Sequence, residues 1–507
     1  MTPPCQRESE PHGLLWLVAA LLLLPLMVSN RSLWIDEGQT ASYASLPGIG
    51  EFCERIRADN AIGSLSEGMM PLSMFLAWVG GKILPATEVA LRLPNLLYLA
   101  GGFLVAYRVG RRLRAPWLVL LLAVHPFTWY YADEARPYAL QIALGCCLFW
   151  SCLDISGSRG MSLRGWAVFF ASGLGLWASS LVGIIPFLAA VLVLAVLWWR
   201  GRWRPGSRFY WALALAIPCY VALGVFFAEA IGAMRGGRLW EFGPGNLAYT
   251  LYEAMGFQGM GPQRDELRQM IKGGGFSLGR VAPDLPGLAA VALCWVLLCL
   301  GALRHARAVW SSRLGAVGLA LVLTVSGFVL LGIIARFAFW GRHLAPALVG
   351  LVAVACLLGR GWKRGPVMLA SLAGLWLVSS LNLRFNDRYA KDDYRGAADL
   401  AKHALGRGES IWWAADYSTA AFYGLKPEVV LMQGRQVRMG KDSAALYPKS
   451  VFLFSPQGRL LDSVLEPRWV FVSKPDIFDG TGAVRRSLED GRYRVVRTLP
   501  AFEVWTR

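Results

Sequence analysis

GLLWLVAALLLLPLMVSNRSLWIDEGQTAS, residues 13–42, runs an apolar stretch straight into an adjacent acidic pair, Asp36 and Glu37. The apolar part, 13–29, has the minimum length of about 17 residues that a helix needs to cross a bilayer. The carboxylates follow near the membrane surface, where charge is costly without a partner or a task. Arg7 before the run is offset by Glu8 and Glu10, and no clear A-x-A cleavage site follows, so 13–29 reads as a retained first helix.

The pattern of this first run repeats. The 507 residues are 55% apolar and 17% charged, with a mean hydropathy of +0.44, whereas soluble domains carry about a quarter of their residues as charges. Spanning helices are expected near 13–29, 89–110, 115–131, 137–153, 163–178, 180–199, 209–230, 285–303, 314–335, 342–359 and 366–381. The hairpin between the fifth and sixth rests on Ser179 and Ser180 alone. The fold class is a polytopic α-helical membrane protein of about eleven spans (ten to thirteen).

A net charge of +18 raises the question of nucleic acid. Its distribution argues against that partner, because the basic residues sit in short loops: RRLR (111–114), SGSRGMSLR (156–164), RGRWRPGSR (200–208), RHARAVWSSR (304–313) and GRGWKRG (359–365). All fall on one side of the expected topology, which the positive-inside rule makes the cytoplasm, along with the N-terminus. That arithmetic requires PLSMFLAWVGGKIL (71–84) to lie in the interface rather than span, leaving 30–88 as one external loop. A second external loop covers 231–284. From about residue 382 charge rises, RWVFVSK (468–474) and RYRVVRTL (492–499) alternate as strands do, and DYRGAADLAKHAL (393–405) reads as a helix. The expected organisation is a membrane domain over 1–381 and an external α/β domain over 382–507. Seven of the nine cysteines lie in or beside apolar runs and none follows Cys356, so the last segment has no internal disulfide.

This topology sorts the charged residues. Asp36 and Glu37 are external; YYADEARPYAL (130–140) places Tyr131, Asp133, Glu134 and Arg136 on the same side; ARFAFWGRHLAP (335–346) adds Arg336, Arg342 and His343; Lys82 ends the interfacial segment. Arginine forks suit phosphate, and a carboxylate can take a hydroxyl proton. Plainer readings stand beside these. An acidic pair at a helix end is commonly solvated, Arg136 can pair with Asp133 or Glu134, and Arg342 and His343 can snorkel. His125 reads as a hydrogen-bonded helix residue, and KGGGFS (272–277), lacking a phosphate-loop ending, as a hinge. Tryptophans such as those in LWWRGRW (197–203) read as interfacial anchors. No metal-ligand spacing occurs.

WIDEG (34–38), EVALRLPNLLYLAGGFLVAYRVGRRL (88–113) and HPFTWYYADEARPYAL (125–140), in that order, resemble the GT-C membrane glycosyltransferases. The branch is that of the protein O-mannosyltransferases and lipid A aminoarabinose transferases. GRHLAPALVGL (341–351) and DYRGAADL (393–400) look like its later arginine turn and the start of its external domain. The resemblance implies an inverting hexosyl- or pentosyltransferase that uses a polyprenyl-phosphate-linked sugar and an extracytoplasmic acceptor at the lipid bilayer; the compact chain and the cysteine-free external segment point to a bacterial inner membrane rather than an endoplasmic reticulum. It implies Asp36 as general base or acceptor-positioning group, with Glu37 in support. Arg136, Arg342, Arg336 and Lys82 are then the donor phosphate's partners, and Tyr131, Asp133, Glu134 and His343 the acceptor's. No cofactor is required, and a divalent metal is not indicated. The chain departs from the branch where His-Pro-Pro is replaced by Met69-Met70-Pro71, and at Ser179 and Ser180. A transporter or flippase, or a non-catalytic scaffold, are the competing classes. Ionisable residues deep in spans and internal repeats would mark the transporter.

Overall fold

The structure is a computed structural model that describes residues 10–61, 67–157, 163–201, 205–233, 242–264, 266–267, 270, 278–304, 312–335, 339–360, 362–409, 411–425, 429–431, 436–438, 444–446, 451–454, 467–474 and 483–507. Two compact bodies emerge from the packing. The first comprises 1–29, 47–76 and 92–389, and the second 30–46, 77–91 and 390–507. The second body thus takes in the chain around Asp36 as well as the segment after residue 389.

Every expected span has a helical counterpart. Among the described residues eight helices are long and apolar enough to cross a membrane: Glu88–Leu113, Tyr138–Ser156, Leu181–Trp199, Ser207–Ile231, Ala282–Leu303, Gly315–Ala335, Gly341–Gly359 and Gly365–Phe385. The other three expected spans are shorter or broken. The first is a helix over Glu10–Leu23 continued by a 3-10 turn, Leu24–Met27. The fifth is a 17-residue helix, Leu163–Ser179, which stops at Ser180, where the backbone extends (φ −167°). The 71–84 segment is a 13-residue helix, Pro71–Ile83.

The third expected span is broken at His125-Pro126 into Leu118–Val124 and Pro126–Ala132. Proline lacks an N–H and suits the first turn of the new helix. The groups freed by the break are satisfied locally, as a membrane interior demands. Thr128 Oγ1 donates to the Leu122 carbonyl (2.8 Å), Trp129 Nε1 to that of Ala123 (2.8 Å) and Ser380 Oγ to that of Val124 (2.9 Å). His125 Nδ1 accepts the Phe127 N–H (3.1 Å), which leaves Nε2 to donate to the Ala254 carbonyl (3.1 Å). His125 is therefore hydrogen-bonded, as read from the sequence, and it is buried and caps the helix Pro126–Ala132. Large apolar side chains such as Leu97, Leu215 and Ile334 are exposed along the spans, as lipid-facing positions are in a protein whose solvent is hydrocarbon.

The second body contains a six-stranded sheet of order β2-β5-β1-β6-β8-β7. Its strands are β1 (Ile411–Ala414), β2 (Val429–Leu431), β5 (Val451–Phe454), β6 (Trp469–Ser473), β7 (Arg494–Leu499) and β8 (Phe502–Thr506); β3 (Gln436–Arg438) and β4 (Ala444–Leu446) pair separately. β1 and β6 are parallel, with Trp412 opposite Val470, and the other neighbours are antiparallel. The helix Tyr394–Gly406 presents Ala397, Ala398, Ala401 and Ala404 to the core, small side chains that let Trp413, Phe471, Phe502 and Val504 fill the space beneath it. The two expected strands and the expected helix of this region all form.

Candidate active site

The acidic pair opens a helix, Ile35–Ala44, of the second body. Extended Trp34 precedes it, and negative charge is favoured in this first turn by the helix dipole. Glu37 is buried, and its Oε2 accepts the Trp34 N–H (3.3 Å) across the turn. Asp36 is half-buried. Two neighbouring carboxylates thus receive different surroundings: Glu37 caps its own helix, and Asp36 keeps partial access to solvent. Lys82, also in the second body, is exposed, donates to the Leu46 carbonyl and stands 5.6 Å from the centre of the Trp78 ring. It holds the chain leaving the acidic helix.

The first body holds the remaining candidates in three groups. Asp133, at the end of Pro126–Ala132, accepts from the Ser29 N–H (2.6 Å) and Ser29 Oγ (2.7 Å), and Arg92 lies 3.6 Å away. Arg92 is fully buried and also donates to the Ser29 carbonyl (3.0 Å). Asn95 donates to the carbonyls of Ala132 (3.0 Å) and Glu134 (2.5 Å). The DEAR turn is therefore strapped to the helix Glu88–Leu113 by residues one helical turn apart, which share a face. Asp133 is committed to that strap, and Glu134 is buried beside it.

Arg136 reaches an acidic partner from well before it in the chain. Its Nη1 meets Glu67 Oε1 at 3.1 Å, and its Nη2 lies 3.7 Å from Met70 Sδ, with both ionic side chains nearly buried. Met70, one of the residues replacing the branch's His-Pro-Pro, thus packs directly on this arginine.

Glu253, which the sequence did not single out, organises the third group. It lies on the helix Pro244–Ala254 and is fully buried. Its Oε1 accepts from Gln258 Nε2 (2.5 Å), Tyr249 OH (3.0 Å) and Tyr131 OH (3.3 Å). Among the described residues its Oε2 has no hydrogen-bond partner. Gly341 packs against this carboxylate so closely that a β-carbon there would collide with Oε2. Burial pushes the Glu253 carboxyl above the ordinary glutamate value, while the charge of Arg264, the Tyr249 hydroxyl and the charge of Arg342 pull the other way. Arg264 lies 6.0 Å from the Tyr249 ring centre and 5.9 Å from that of Trp340, within cation–π range. His343 Nδ1 accepts the Trp340 N–H (2.8 Å), so the imidazole caps the 3-10 turn Gly341–Ala347.

The structure therefore gathers Tyr131, Arg342 and His343 around Glu253 and Arg264, sets Asp133 on Arg92, and sets Arg136 on Glu67. Arg336 and the glycine-rich 272–277 segment lie outside the described residues. Arg92 was legible as a charge inside an apolar run. Glu253 had a fainter signal, a tyrosine four residues earlier on one helix face in NLAYTLYEAMGFQ (246–258). Among the described residues no group of three or more His, Cys, Asp or Glu side chains could hold a metal ion.

No protein-family model matches the chain, and no curated protein does. Solved structures do. ArnT from Cupriavidus metallidurans in the apo state superposes with a TM-score of 0.52 at 16% identity, over 97% of each chain. The same protein bound to undecaprenyl phosphate gives 0.44 at 16% identity, again over 97% of each chain. The mycobacterial arabinofuranosyltransferase AftD gives 0.40 at 14% identity, over 97% of this chain and 39% of that one. The apo ArnT likeness shows that the chain has the GT-C fold along nearly its whole length, as an integral membrane protein with a small C-terminal sheet.

Proposed function

We propose that the protein is a membrane glycosyltransferase that moves a hexosyl or pentosyl group from a polyprenyl-phosphate donor to a lipid, glycan or protein acceptor outside the bacterial inner membrane. The N-terminus is cytoplasmic and the C-terminal segment external. Asp36 takes the proton of the acceptor hydroxyl or positions it. The hydroxyl oxygen bonds to the anomeric carbon from the side opposite the phosphate, the bond from that carbon to the phosphate oxygen breaks, and the electron pair leaves on the lipid phosphate. Inversion follows. Arg342, joined by Arg264 and assisted by Arg136, stabilises the charge growing on the phosphate. A lipid phosphate already leaves readily, so the step requires no nucleotide or metal.

The observation that carries this reading is the unequal fate of the acidic pair. Glu37 is buried on its own helix cap, and Asp36 beside it is half-buried at a helix N-terminus. The whole-length likeness of fold to apo ArnT supports it, as do the ordered motifs that resemble the GT-C branch.

The test is transfer of radiolabelled sugar from a panel of polyprenyl-phosphate donors by purified protein in lipid, with crude envelope as acceptor. Label moved by wild type and not by folded Asp36→Asn establishes the class and names the donor. Equal transfer by a stable Asp36→Asn protein rejects the role of Asp36, and no transfer from any donor rejects the class.

A further inference from the structure

The chain around Asp36 is held on several sides by residues that follow hundreds of positions later. Ahead of the helix, the Leu33 N–H donates to Tyr423 OH (2.8 Å), and Ser32 Oγ accepts the Arg395 N–H (2.9 Å). These bonds join residues 390 and 363 positions apart. Tyr423 OH donates in turn to Glu88 Oε1 (3.0 Å), which Arg395 also engages through Nε (2.9 Å) and Nη2 (2.5 Å). Arg395 Nη2 further donates to the Asn30 carbonyl (2.8 Å).

On the helix itself, Ile35 packs on the alanine and aromatic core of the second body. Gly38 lies so close to Thr419 that a β-carbon would collide with its hydroxyl, its nitrogen and its α-carbon. Thr419 cannot easily yield, because it is fully buried and its N–H and Oγ1 both donate to Asp416 Oδ2 (2.7 and 2.8 Å). Over the helix start, Lys474 stands 5.4 Å from the Trp34 ring centre while its Nζ pairs with Asp392 Oδ2 at 2.9 Å, both side chains nearly buried. Lys474 adopts φ +40°, a conformation unfavourable for a residue with a side chain.

We propose that Tyr423, Thr419 and Lys474 are positioning residues for Asp36, so that the C-terminal α/β segment takes part in transfer without touching substrate. The inference rests on the proposed role of Asp36. Its physical content is rigidity: a short helix with a polar, half-buried first turn owes its place to the contacts that bracket it. Misplacing a reacting group by about an ångström costs up to roughly 100-fold in rate.

The experiment compares full-length wild type, Tyr423→Phe, Gly38→Ala and Asp36→Asn in lipid, measuring kcat, donor KM, acceptor KM and hydrogen exchange across residues 30–44. Tyr423→Phe removes one hydroxyl; Gly38→Ala deletes nothing and forces the helix off Thr419. The expected result for each is a fall in kcat of about 10- to 100-fold. Donor KM stays unchanged, and exchange rises within 30–44 while the melting temperature of the whole chain barely moves. Wild-type kcat in both folded variants, with Asp36→Asn inactive, overturns the positioning role alone. Full transfer by Asp36→Asn removes the premise as well. An equal rise in donor and acceptor KM, with exchange raised throughout the chain, marks a merely structural role and also overturns the proposal.

Discussion

Arg92 and Asp133 form a buried ion pair, 3.6 Å apart, whose remaining valences are filled by the backbone and hydroxyl of Ser29. The pair lies near the end of a membrane helix and ties the first span, the DEAR turn and the helix Glu88–Leu113 together. An ionisable residue inside a span is also what a transporter would carry. Here the arginine is locked by short contacts to fixed groups, which is the signature of a structural strap.

Breaking that strap on one side should be costly. Asp133→Ala strands a buried guanidinium, and a loss of about 3–5 kcal/mol is expected, read as a lowered melting temperature in detergent. The double change Arg92→Met with Asp133→Leu should recover most of this. If the recovered protein still fails to transfer sugar, Asp133 has a chemical role besides its structural one.

The acidic pair should separate by readout. Asp36→Asn is expected to lower transfer by about 100- to 10,000-fold with the fold intact by circular dichroism. Glu37→Gln should instead weaken the helix start by about 0.3–1 kcal/mol and leave most of the transfer. A reversal of the two effects would move the catalytic assignment from Asp36 to Glu37.

Arg136→Ala is expected to raise donor KM more than acceptor KM, measured by titrating each substrate separately. The single variant also leaves Glu67 buried without its partner, so lost stability is expected alongside. Arg136→Ala combined with Glu67→Gln should restore the stability without restoring donor use. If both return together, the arginine serves the fold alone.

Glu253 supplies a pH dependence whose sign is set by burial. Its carboxyl is raised above the ordinary glutamate value, so between the unfolded and folded values the native state binds more protons than the unfolded chain. The stability contribution is therefore greatest below the unfolded value and declines as pH rises through the folded one. Glu253→Gln should flatten that decline in melting temperature against pH. Arg264→Ala should steepen it, because the charge of Arg264 favours the ionised carboxylate. Identical pH profiles for wild type and Glu253→Gln would count against this reading.

Much of the fold was legible because its determinants are local. Hydropathy over one helix length places the spans, whereas the break of the third at His125-Pro126 came only with the structure. Alternation places the strands at 469–473 and 494–499. The order WIDEG, EVALRLPN, HPFTWYYADEARPYAL pointed to the GT-C fold that the likeness to ArnT shows. The expected sidedness rests on the basic loops alone, through a rule that needs no coordinates.

The pairing of charges was not legible, because it depends on which distant elements meet. Arg136 has two acidic neighbours in sequence, and its guanidinium also meets Glu67, which lies 69 positions earlier. Asp133 found Ser29 and Arg92, and Tyr131 found Glu253, a residue on the helix Pro244–Ala254 that the sequence did not single out. Sequence alone determined that carboxylates and arginines gather at turns beside apolar runs. Only the tertiary structure decided which of them are buried and committed to partners, since desolvation and hydrogen bonding are properties of the packed chain.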